Sequence, residues 1–108
     1  IVVAFQPHLY SRTLQFHKEF AKSLQIADVI IITDIYPARE EPIIGVSARM
    51  IYNHLDKDKK GNCYFIPDLN HLEKELDNIL QPNDLFLTIG AGTIWRYNES
   101  YTRHLSQI

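Results

Sequence analysis

Four short apolar runs recur along this chain, separated by segments of helical periodicity, and that alternation limits its fold more than any other feature. The runs cover residues 1–5, 28–36, 62–66 and 84–89. Each is nearly continuous in apolar residues, which is how strands buried on both faces of a parallel sheet read. The segments between them repeat their apolar residues every three or four positions. Over 11–24 the stripe is Phe16, Phe20 and Leu24, and over 47–55 it is Met50, Ile51 and Leu55. Over 70–80 it is Leu69, Leu72, Leu76, Ile79 and Leu80, with Asn70 and Glu73 spaced as a capping box. From residue 93 onward Ile94, Tyr101, Leu105 and Ile108 share one side. Turn residues Pro82, Asn83 and Asp84 precede the fourth run, and the charged stretch 56–61 reads as a loop before the third. The order β-α-β-α-β-α-β-α predicts a Rossmann-like α/β fold: an open, mainly parallel sheet with helices on both faces.

At 108 residues the chain is one domain, expected to span 1–108. Its net charge of −2 gives no basic face for nucleic acid or a membrane surface. Its longest apolar runs fall far short of a membrane span. The single cysteine, Cys63, allows no internal disulfide, which fits a reducing, cytoplasmic setting. The chain opens on an apolar run with no initiator methionine and no secretory leader. It is therefore expected to be an excised domain of a longer protein.

Ligands of open parallel sheets bind beyond the carboxyl ends of the strands. That directs attention to loops 6–12, 36–46, 67–69 and 90–93. In the first loop His8, Tyr10 and Arg12 crowd a helix start, where free N–H groups and the helix dipole suit a carboxylate or phosphate. Arg12 could add a bidentate contact. The same residues also fit a solvated first turn and an ordinary loop histidine. The second loop is long for a strand-to-helix connection, and Arg39, Glu40 and Glu41 form its charged tip. Its charges fit either binding or simple solvation. Gly90-Ala91-Gly92 opens the last helix, but no Lys-Ser or Lys-Thr pair follows, so it reads as a structural turn rather than a phosphate loop. His17, His54, His71 and His104 have no metal-ligand spacing, and no metal site or catalytic triad is legible. Cys63, in the middle of a strand, reads as a small core residue, and Trp95 and the six tyrosines as core or interface residues.

Three segments go further. FQPHLYSRT, residues 5–13, resembles the FQPH-x-[FY]-[ST]-R-T segment of the UDP-N-acetylmuramate–L-alanine ligases. YPAREEPIIGVSAR, residues 36–49, and TIGAGTI, residues 88–94, resemble two later segments of that family, in the same order. The resemblance implies the last of three domains of an ATP-dependent ligase, which joins L-alanine to UDP-N-acetylmuramate through an acyl phosphate in peptidoglycan synthesis. It implies ATP and Mg2+ as cofactors, bound mainly by a central domain, and the N-terminal and central domains of the same polypeptide as partners. It implies no catalytic residue in this chain, which alone is expected to be inactive. It sets His8 and Arg12 near the alanine carboxylate, with Tyr10 between them. Where many relatives have arginine after the histidine this chain has Leu9, and Arg39, where many have glycine, is the candidate replacement. A related ligase that attaches whole peptides during wall recycling does not share the first segment. Without the resemblance, the alternative is a non-catalytic, flavodoxin-like binding or interaction module.

Overall fold

The computed structural model describes residues 1–107. Ile108, assigned above to the inner side of the last helix, lies outside the described residues. Strands β1 (Val2–Phe5), β2 (Val29–Ile32), β3 (Cys63–Phe65) and β4 (Phe86–Ile89) form one sheet in the order β3-β2-β1-β4. All three pairings are parallel, as the continuous apolar runs predict. Helices α1 (Tyr10–Leu24) and α2 (Arg49–Asn53) pack on one face. Helices α4 (Leu72–Ile79) and α5 (Ile94–Ser106) pack on the other.

Alternate residues of the central strands feed the two cores. Val3, Ile30 and Ile32 meet Ala21 and Leu24 of α1 and Ile51 of α2. Val2, Ala4 and Ile31 meet Leu72, Leu76, Ile94 and Tyr101. Ile30, Ile31 and Ile32 have no exposed surface, and each such side chain contributes about 1.5–3 kcal/mol of burial.

The sequence reading needs correction at five places. Strand β4 is not buried on both faces: Phe86 packs toward α5, while Leu85, Leu87 and Ile89 are exposed on the α1 side. Among the described residues no helix covers that side of this edge strand. Helix α1 turns Thr13, Ala21 and Leu24 inward, leaving Phe20 half-buried and Phe16 exposed. The stretch 56–61 is not only loop, since Lys57–Lys60 form a single helical turn, α3. The Asn70–Glu73 capping box does not form. Instead Asp68 caps a 3₁₀ turn by accepting from the Asn70 amide at 2.9 Å, and Asn70 accepts from Tyr97 Oη at 3.0 Å. On α5, Ile94 and Tyr101 face inward as expected, but Leu105 and Trp95 are about half exposed.

Candidate functional site at the carboxyl edge

The carboxyl edge of the sheet is built by two loops that bind each other before either can bind anything else. After β1 the chain continues its ladder for one residue, Gln6 N to Ile89 O at 2.9 Å, and Pro7 then removes the next donor. The loop after β2 meets it there: Tyr36 N donates to Pro7 O at 2.7 Å, and Leu9 N donates to Tyr36 O at 2.9 Å. The His8 ring stacks on Tyr36 with centroids 5.9 Å apart. Leu9 takes a φ of 70°, a strained value for a residue with a Cβ, and the chain then enters α1.

His8 and Arg12 come together. With Phe5, Gln6, Phe20, Ile89, Gly90 and Ala91 they line a shallow pocket of about 280 Å3. That is at the small end of ligand pockets, which hold roughly 300–1,000 Å3. Its walls are mostly apolar, and the polar groups of His8 and Arg12 stand at one side. His8 Nδ1 is enclosed and has no hydrogen-bond partner. An enclosed polar nitrogen without a partner costs about 1–3 kcal/mol.

Tyr10 and Arg39 are not brought to this pocket. Tyr10 packs on the α1–α2 core and lines a separate hollow with Asp34, Ile35, Val46, Ser47 and Ala48. Arg39 is exposed at a tight turn closed by Glu40 N to Pro37 O at 2.9 Å.

Two further residues organise the edge: Gln6, which the sequence did not single out, and Glu40, which it offered only as part of a charged loop tip. Gln6, only 5% exposed, reaches the start of α5, where its Oε1 accepts from Thr93 N and Ile94 N at 3.1 Å each. Two of the amides at the start of α5, those of Thr93 and Ile94, are thus already held internally. A Cβ on Gly92 would lie 2.8 Å from Gln6 Oε1 and 2.7 Å from Tyr36 Cγ, so glycine here serves close packing. Glu40 does the equivalent at α1. Its carboxylate accepts from Ser11 N at 2.8 Å and from Ser11 Oγ at 2.5 Å. The Ser11 hydroxyl and then the Ser11 amide hold the Glu40 carboxyl below the usual carboxylate range, and His8 adds a smaller pull. Their only trace in the sequence is a polar Gln directly after an apolar run and an acidic pair in a loop.

A larger concavity, about 510 Å3, lies between the turn before β4 and α5, away from this edge. Its acidic groups are committed: Asp77 accepts from Tyr101 Oη and Asp84 from the Gln81 amide. Among the described residues no cluster of three or more His, Cys, Asp or Glu could hold a metal ion. No helix among them is long and apolar enough to cross a membrane.

No family model matches the chain. It is 43% identical over 100 residues to the UDP-N-acetylmuramate–L-alanine ligase of Geobacter sp. (strain M21), a match covering 93% of this chain. It is 42% identical over 107 residues to the enzyme of that name from Geobacter sulfurreducens, covering 99% of this chain, and 42% identical over 101 residues to that of Dictyoglomus turgidum. The chain spans 22–23% of the length of these relatives. Along nearly all of its length, on an all-parallel α/β sheet, the chain is therefore similar to a stretch of about a fifth of the UDP-N-acetylmuramate–L-alanine ligases.

Proposed function

We propose that this chain is the C-terminal domain of a ligase joining L-alanine to UDP-N-acetylmuramate, and that it closes over the active site and holds the amino acid. In this reading the longer protein works in the cytoplasm, in peptidoglycan synthesis. It activates the sugar-nucleotide carboxylate with ATP and Mg2+ as an acyl phosphate, and the alanine amine then displaces phosphate. In this reading the nucleotide is held mainly by other parts of that protein, in keeping with the absence of a Lys-Ser or Lys-Thr pair after the Gly90–Gly92 turn and with Gln6 holding the Thr93 and Ile94 amides there.

What remains for this domain is to bind and orient the amino acid. The observation that carries the reading is the shared pocket of His8 and Arg12 at the carboxyl edge of β1 and β4. Arg12 is permanently charged, and its planar fork matches both oxygens of a carboxylate. His8 adds one ring N–H donor, which the imidazole carries in either protonation state. The apolar wall of Phe5, Phe20 and Ile89 favours a small aliphatic side chain over a charged one. Losing a charge-assisted contact in a closed site costs about 2–4 kcal/mol, so Arg12→Ala should lower kcat/KM for L-alanine on the order of a hundredfold. Steady-state kinetics of the full-length enzyme, at saturating ATP and UDP-sugar, test this. Unchanged alanine kinetics in Arg12→Ala would remove the assignment.

A further inference from the structure

We infer that Glu40 is a positioning residue for the amino-acid site: it ties the 36–46 loop to the first turn of α1 and so fixes the turn from which Arg12 projects. The inference rests on the carboxylate-binding reading of Arg12 and His8 and deepens it.

Helix α1 enters without local help. Its N-cap residue is Leu9, which makes no side-chain cap, and its first turn holds no acidic residue. Amides at such an end need an acceptor. It comes from 29 residues along the chain, where both Glu40 oxygens meet Ser11, one at its amide and one at its hydroxyl. A carboxylate is the acceptor that the positive end of a helix favours most. Thr13 is already satisfied from behind, with its amide and hydroxyl both directed at Leu9 O.

The 36–46 loop is otherwise anchored at its root, by the backbone bonds that Tyr36 exchanges with Pro7 and Leu9. Glu40 supplies the second anchor, four residues farther out. Two anchors define a direction, whereas one leaves a hinge. Arg12 directly follows the clamped Ser11, so the clamp sets where its guanidinium begins. The clamp also assigns roles by exclusion. Because the Ser11 donors already hold a carboxylate, they are not available to a second one, and the side chains of Arg12 and His8 in the pocket toward β4 are the charged and polar groups left for it.

The test uses full-length enzyme. Glu40→Ala should raise KM for L-alanine on the order of tenfold and leave kcat within about twofold, since displacing a binding group by about an ångström weakens capture more than chemistry. Glu40→Gln should recover part of the loss, because its amide oxygen still accepts one Ser11 donor. The double variant Ser11→Ala/Glu40→Ala should be little worse than Glu40→Ala alone, as expected for partners in one contact. Amide hydrogen exchange of peptides covering residues 9–13 gives a readout independent of catalysis: the Ser11 amide should exchange about tenfold faster in Glu40→Ala. Unchanged exchange would show that the clamp does not exist in solution. Faster exchange with an unchanged or lowered KM would overturn the positioning role, and Arg12→Ala then separates the two ideas. If Arg12→Ala still impairs alanine use, only the Glu40 inference fails. If it does not, the carboxylate reading fails and the inference with it.

Discussion

Replacing Gln6 by methionine isolates one buried polar link between β1 and α5. Methionine nearly conserves the volume, so the cavity term is small. What is lost is the oxygen that accepts from Thr93 N and Ile94 N. The Ile94 amide is buried, and leaving it unpaired costs about 1–3 kcal/mol. The Thr93 amide is partly exposed and can recruit water, so its loss resembles that of an ordinary cap, about 0.5–1 kcal/mol. Thr93 offers no substitute, since its side chain makes no cap bond. The sum is about 1.5–4 kcal/mol, or a fall in Tm of about 6–16 °C for a domain of this size. Urea unfolding followed by far-ultraviolet circular dichroism, with Trp95 fluorescence reporting on α5, measures it. The midpoint should fall with the slope unchanged. A loss below about 0.5 kcal/mol would refute the claim that Gln6 holds the start of α5.

Gly92→Ala should destabilise by about 1–3 kcal/mol, read from the same unfolding curves, because its Cβ would press on Gln6 and Tyr36 at under 3 Å. Stability unchanged by the extra methyl would mean that the turn gives way freely. Burial, followed by the hydrogen bond to Asp77, pushes the Tyr101 phenol up to about 12. The folded state then holds that proton more tightly than the unfolded chain, whose tyrosines titrate near about 10. The corresponding stability is complete below that pH and is lost as pH rises toward the folded value. Unfolding midpoints measured across this range should fall less steeply in Tyr101→Phe than in the parent. Burial also raises the Cys63 thiol to about 11, so iodoacetamide at pH 8 should label the native protein far more slowly than the urea-unfolded chain. Equal rates would place Cys63 on an accessible surface.

The fold was legible because its strongest signal is local. The isoleucines of β2 and the leucines of α4 each report their surroundings through spacing alone. The errors fall where a neighbour remote in sequence decides the outcome. Phe16 repeats with Phe20 and Leu24, yet the helix rotates to turn Thr13 and Ala21 inward, because small residues allow α1 to lie close on the sheet. Asn70 has the spacing of a capping box, but Asp68 captures its amide and Tyr97, from α5, occupies its side chain. Leu85, Leu87 and Ile89 read as core, and whether such residues are covered depends on what packs over the strand, which spacing does not encode.

The site was half legible for the same reason. His8 and Arg12 could be named from their place after a parallel strand, and the structure brings both to one pocket. The helix starts at this edge, those of α1 and α5, are partly occupied by side chains of the protein itself: Glu40 holds the Ser11 amide, and Gln6 holds those of Thr93 and Ile94. These contacts join residues 29 and 87–88 positions apart, beyond the reach of any motif read along the chain. The consequence concerns selectivity. A bare helix end attracts any anion, phosphate included, through backbone donors that cannot be tuned by substitution. In the amino-acid site proposed above, holding these amides internally shifts the weight of recognition toward the guanidinium and imidazole of Arg12 and His8, groups that select by planarity and by the apolar side chains beside them. Gln6, within the pocket lining, and Glu40, outside it, would then both bear on that selectivity.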